Sequence, residues 1–193
     1  LDISAHAFES RGLLHCTIEL GPGEPALHCL NVHLGLFERG RKWQIHALCE
    51  RIRETVPDDA PLVIAGDFND WRHKANRLLV DELGVVEVFA AVRGRPARTF
   101  PSVLPVFRLD RIYARGLAIV EAHVHCAFPS GRISDHAALA AYLINNAVEE
   151  AELRAGCEVR SVYASISGNH IHCRNSPGIV PIRDGEVSYA DLE

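Results

Sequence analysis

The sequence predicts an α/β layered domain, and three observations carry that prediction. Residues 11–20 and 27–34 alternate apolar with polar positions, as half-buried strands do. Residues 41–55 carry an apolar stripe of helical period, and the run Pro61-Leu62-Val63-Ile64-Ala65 is apolar throughout before it breaks into Gly66-Asp67-Phe68-Asn69-Asp70. Strand and helix therefore alternate along the chain, the order that places helices against a sheet.

Each element has its own local reason. In the first strand Leu14, Cys16, Ile18 and Leu20 share a face, and Gly21-Pro22-Gly23-Glu24-Pro25 forces a turn into the second, so a hairpin is expected. Ile45, Leu48, Cys49, Ile52 and Val56 recur at helical offsets, and Pro57 closes that helix. Arg39, Arg41 and Lys42 read as its solvated start. A second helix is expected over residues 75–83, stopped by Gly84. Strands are expected over residues 107–114, 118–127 and 137–143.

Composition narrows the class. The chain has 193 residues, 48% hydrophobic and 23% charged, within the range of ordinary globular proteins. No apolar run reaches the roughly 20 residues of a membrane span, and no basic start followed by an apolar core opens the chain, so neither a span nor a secretory signal is expected. The chain opens at Leu1 and holds no Met, so a true beginning further upstream is expected. Residues 1–143 carry 16 Lys+Arg against 17 Asp+Glu, and residues 144–193 carry 4 against 8. Neither part has the basic excess that drives nonspecific binding to long nucleic acids. The six cysteines are scattered without a CxxC pair and read as reduced core thiols of a cytoplasmic protein.

Acids, amides and imidazoles gather where strands are expected to end: Asn31 and His33, Asp67 and Asn69, Asp110, and Asp135-His136. Such groups suit a hard divalent cation and phosphate chemistry, because carboxylate oxygens hold Mg²⁺ and an imidazole aligned by a second carboxylate can meet developing negative charge. The alternatives are plain. Asp67 could be a turn residue, His33 a satisfied histidine in a sheet, and Asp110 a surface partner of Arg108 or Arg111. His123 and His125 share a strand face without a third ligand nearby and read as structural, as do His15, His28, His46 and His73.

Leu30-Asn31-Val32-His33-Leu34, Ala65-Gly66-Asp67-Phe68-Asn69, Arg108-Leu109-Asp110-Arg111-Ile112-Tyr113 and Ser134-Asp135-His136 together resemble the later half of the endonuclease/exonuclease/phosphatase superfamily, which includes deoxyribonuclease I and neutral sphingomyelinases. The resemblance spans residues 10–143. It implies a partial four-layer α/β/β/α sandwich, one half of the whole, and metal-assisted in-line attack of water on a phosphate ester with Mg²⁺ or Mn²⁺. By the resemblance, Asp67 orients or deprotonates the water, and Asn69 holds the phosphate or that water. His33 bonds the scissile phosphate or assists the leaving oxygen. Asp110 orients His136, which stabilises the transition-state charge, and Asp135 with Asp67 serves the metal. The superfamily's first half supplies a further Asn and a metal-binding Glu that do not precede Arg11, so the isolated chain is expected to be inactive. The segment from Thr99 to Arg108 lacks the pattern of abasic-site endonucleases, which leaves a nucleic acid, a phospholipid head group or a phosphorylated small molecule as substrate.

Residues 144–193 change style and form a predicted small α+β appendage. Asn146 with Glu149 resembles a capping box for a helix over residues 147–155, and short strands are expected over 158–166, 170–174, 178–183 and 186–189. The stretches Ala147 to Leu153, Ser161-Val162-Tyr163, Ile166 to Ile171, Asn175 to Val180 and Asp184-Gly185-Glu186-Val187 are similar to the bacterial cell-division protein FtsA. That likeness implies a fragment of a subdomain used for protein contacts, and a competing function: a non-enzymatic interaction module that touches division proteins.

Overall fold

The computed structural model describes residue 3 and residues 11–21, 23–72, 74–126 and 134–145. The elements expected beyond residue 146, with Cys157 and Cys173, lie outside the described residues, as does His73. The elements run β1 (Leu13–Ile18), β2 (Leu27–His33), α1 (Glu38–Thr55), β3 (Leu62–Asp67), α2 (Lys74–Leu83), β4 (Val86–Glu87), α3 (Val88–Arg93), β5 (Asp110–Arg115), β6 (Ala118–His125) and β7 (Ala138–Ile144). The fold is mixed α/β.

A five-stranded sheet has the order β1-β2-β3-β5-β4, and β6 pairs with β7 in a separate two-stranded sheet. β1 and β2 form the expected antiparallel pair, β3 lies parallel to β2 after the crossover through α1, and β5 returns antiparallel beside β3. β3 therefore has a paired strand on each side and a covered surface above and below. On one side of the sheet Leu30, Val32, Leu62, Ile64 and Tyr113 pack beneath Ile45, Leu48, Cys49 and Ile52 of α1 and Leu79 and Leu83 of α2. On the other, Leu27, Val63, Ile112 and Ala114 meet Val88 and Phe89 of α3 and Ala122 of β6. This double burial is why β3 reads as a continuous apolar run while β2, buried chiefly on alternate residues, does not.

Four expectations need correction. α1 begins at Glu38, a turn earlier than its apolar stripe shows, and Arg41 is buried rather than solvated. Its guanidinium donates to the carbonyls of Gly35 and Leu36 at 3.0 and 2.9 Å, while Gln44 Oε1 accepts from Gly35 N at 2.8 Å, so α1's own side chains satisfy the turn that leaves β2. The strand expected over residues 107–114 starts at Asp110, with Phe107 making only an isolated bridge to Phe100. Two short elements, β4 and α3, were not anticipated, and Glu87 caps α3 by accepting from Ala90 N at 2.6 Å. The cysteines divide: Cys49 is a buried thiol pushed up to about 12 by its loss of hydration, whereas Cys16 and Cys126 are exposed and are not core residues.

Among the described residues no helix is long and apolar enough to cross a membrane.

Candidate active site

Strand register assembles the site. His33 is the last residue of β2, Asp67 the last of β3 and Asp110 the first of β5, and the ladders pair His33 with Asp67 and Asp67 with Asp110. Directly paired residues share a face and neighbouring strands lie about 4.8 Å apart, so an imidazole and two carboxylates stand in one row along the end of the sheet. His33 Nε2 lies 3.5 Å from Asp67 Oδ2. His136, just before β7, closes the group: its Nδ1 donates to Asp110 Oδ2 at 2.8 Å.

The His136 segment is held by main-chain bonds to residues 99–102. Ala137 N donates to Thr99 O at 2.7 Å, Ser102 N donates to Asp135 O at 2.7 Å, and Ser102 Oγ donates to Ser134 O at 2.8 Å. Phe100 packs its ring against the imidazole with centroids 4.9 Å apart. Thr99, Phe100 and Ser102 are positioning residues that sequence reasoning missed. Their only sequence signal is a Thr-Phe-Pro-Ser stretch with no periodicity.

Asn69 sits beside the row with a different task visible. It adopts a left-handed φ of 48°, which Asn tolerates better than most residues. Its main-chain N–H donates to Asp67 Oδ1 and its side-chain amide to Leu34 O, each at 2.8 Å. It thereby ties the end of β2 to the loop after β3. Asp70, next in that cluster, is a helix residue in function: its carboxylate accepts from Lys74 N at 3.1 Å and Ala75 N at 2.8 Å, at the start of α2. Asp135 is exposed, and its carbonyl serves Ser102.

Burial sets the electrostatics. Asp67 is pushed up to about 6 from an ordinary value of 3.8, first by its loss of hydration and then by the negative charge of Asp110. Because the folded-state value lies above the unfolded one, the protonated acid favours folding. That contribution is complete below about 3.8 and disappears as pH rises through about 6. His136 moves above its ordinary 6.5, chiefly because Asp110 accepts its proton, with Asp67 and Asp135 adding charge against the opposing effect of burial. Its contribution to stability is complete below 6.5 and is lost as pH rises through the folded-state value.

No group of three or more His, Cys, Asp or Glu among the described residues forms a cage for a metal ion. The donor chemistry nonetheless fits a hard dication that keeps several waters and takes one or two carboxylates, because Asp67 is a largely covered carboxylate with a second acid, Asp110, beside it. Among the other histidines, His15 and His28 bond each other at 2.9 Å, His46 lies 3.6 Å from Glu82, and His123 pairs with exposed Glu121.

Residues 3–136 match the Endonuclease/Exonuclease/phosphatase family. The chain belongs to that family. It is 44% identical over 143 residues to the uncharacterized protein YbhP of Escherichia coli K12, an alignment covering 72% of this chain and 55% of YbhP. The chain thus spans about half the length of such curated relatives. A shorter stretch of 50 residues is 52% identical to the cell division protein FtsA of Pseudomonas aeruginosa, covering 26% of this chain and 12% of FtsA. Among solved structures, D. rerio TDP2 complexed with single-strand DNA product superposes with a TM-score of 0.55 at 21% identity, over 71% of this chain and 63% of that one. At that identity the likeness is one of fold.

Proposed function

We propose that this chain of the endonuclease/exonuclease/phosphatase family acts in metal-dependent hydrolysis of phosphate esters, as part of a phosphodiesterase or nuclease type of enzyme. The row of His33, Asp67 and Asp110 joined to His136 carries the reading, since two acids and two imidazoles at one sheet end are what phosphate hydrolysis needs. The sheet with α1 and α2 is read as one half of a four-layer α/β/β/α sandwich.

The family resemblance supplies the roles, and the geometry supports those of His136 and Asp67. Asp110 accepts a hydrogen bond from His136 Nδ1 and favours the protonated ring, which leaves the far side of a charged imidazole to meet oxygen as negative charge develops. Asp67, ionised only above about 6, orients the attacking water and accepts its proton. His33 bonds the phosphate or assists the leaving oxygen, and Asn69 positions the phosphate or the water. Asp67 and Asp135 would hold Mg²⁺ or Mn²⁺, which supplies charge neutralisation to the phosphate.

Two measurements test the reading. Mn²⁺ should raise the melting temperature more at about pH 8 than at about pH 5, where protons compete for Asp67, and Asp67→Asn should remove the effect. A form extended upstream to the length of YbhP should hydrolyse bis-p-nitrophenyl phosphate with Mg²⁺. A metal response that survives Asp67→Asn would overturn the assignment.

The likeness to FtsA supports a second reading, in which part of the chain contacts division proteins. Deleting residues 144–193 should then abolish co-precipitation with FtsA partners; unchanged capture rejects it.

A further inference from the structure

Beside the catalytic row the chain exposes an apolar loop that the described core does not use. Thr99 N and Phe100 N donate to Phe107 O at 2.8 and 3.2 Å, and Phe107 N donates to Phe100 O at 2.8 Å, so residues 101–106 are pinched off between paired ends. At the tip Val103 is 84% and Leu104 73% exposed, and Val106 and Phe107 remain exposed on the return. Exposed Trp71 meets Phe107 edge-on at 5.9 Å. Phe107 lies 6.4 Å from Phe100, whose ring is 4.9 Å from the imidazole of His136. A contiguous line of rings therefore joins the tip to the site.

The stem of the loop is basic. Arg95 and Arg98 are exposed, and Arg108 donates from Nε to Pro96 O at 3.0 Å. Burial first, then the charges of Arg98, Arg95 and Arg111, lower the Arg108 guanidinium, which shows how closely these cations crowd. In a segment whose overall charge is near balance, this corner is strongly positive. Single exposed apolar residues are ordinary, but a contiguous apolar patch with a polar rim marks an interaction surface, and here arginines crowd the stem while exposed Asp135 is an acid beside Ser102.

We propose that the loop of residues 101–107, with Trp71, docks on an anionic phospholipid bilayer. Val103 and Leu104 enter the boundary between headgroups and acyl chains, Trp71 and Phe107 occupy the interface, and Arg95, Arg98 and Arg108 meet lipid phosphates. Valine and leucine have neither a π face for a nucleobase nor a group to bond one, so the aliphatic tip favours lipid over single-stranded nucleic acid. The docking rests on the phosphoesterase reading only for its consequence, which is to bring headgroup esters to His136.

The test is sedimentation of the full chain with phosphatidylcholine vesicles, with and without phosphatidylglycerol, in metal-free buffer so that no turnover is involved. The chain should partition onto the anionic vesicles and weaken with salt. Val103→Asp with Leu104→Asp should lower the partition coefficient about tenfold or more, and Arg95→Glu with Arg98→Glu should remove the preference for anionic lipid, both with unchanged melting temperature. Failure of the unsubstituted chain to bind, equal binding by the Val103→Asp/Leu104→Asp chain, or loss in that variant of oligothymidylate binding without loss of vesicle binding overturns the proposal. Because sedimentation without metal involves no turnover, failure of the hydrolase reading, which shows in the Mn²⁺ and phosphodiester tests, is distinguishable from failure of docking.

Discussion

His136→Ala should lower kcat for phosphodiester hydrolysis at least about a hundredfold in a form that carries the full site, with KM little changed. The imidazole is asked to act where negative charge appears on oxygen, and removing one such donor costs roughly 3 kcal/mol in the transition state. Asp110→Asn is the sharper companion. It keeps the shape but takes away the carboxylate that accepts the Nδ1 proton at 2.8 Å and raises His136 above its ordinary range. His136 then loses its proton at lower pH, so the alkaline limb of the rate profile should move toward acid. A profile that does not move would remove Asp110 as the residue that charges His136, and full activity in His136→Ala would remove the imidazole from the chemistry.

β1, β2, α1 and α2 were legible because each buries a periodic face, as the stripe of Ile45, Leu48, Cys49 and Ile52 does for α1, and β3 was legible because double burial makes its apolar run unbroken. What was illegible has physical causes. β4 and α3 are too short to show a period, and Glu87 is a less usual cap than Ser, Thr, Asp or Asn. Arg41 looks solvated in sequence and is buried in the structure, because the donors it supplies are required by Gly35 and Leu36, carbonyls no pattern reveals. The site follows the same division. His33, Asp67 and Asp110 could be singled out as residue types at strand ends, but their alignment in one row depends on register, which spacing along the chain does not contain. Thr99 and Ser102 act through hydrogen bonds, and Phe100 through a ring contact, on a segment more than thirty residues away, and no local rule points to them.

Gly66→Ala should be the most damaging small substitution near the site. Gly66 holds φ at 136°, a conformation closed to residues with a side chain, and a Cβ there would lie 1.9 Å from Val32 O and 2.9 Å from Asn31 Oδ1. The Asn31 side chain can swing aside, but the backbone oxygen of Val32 cannot yield cheaply. Val32 is the ladder partner of Gly66 and is buried beneath the helices, so relief requires β2 and β3 to part immediately before His33 and Asp67. Strain of this kind costs on the order of 3 kcal/mol or more, which at 193 residues corresponds to a fall in melting temperature of roughly 6–12 °C. Gly84→Ala provides the contrast. It also has a positive φ, 64°, but no atom lies within 4 Å of its added Cβ, and it should cost only about 1 kcal/mol. Whatever fraction of Gly66→Ala folds should also respond less to Mn²⁺, since the strand end that carries Asp67 must shift. A melting temperature within about 2 °C of the parent would show that the two strands can separate at this point without loss, and would undo the claim that their close approach sets the row of site residues.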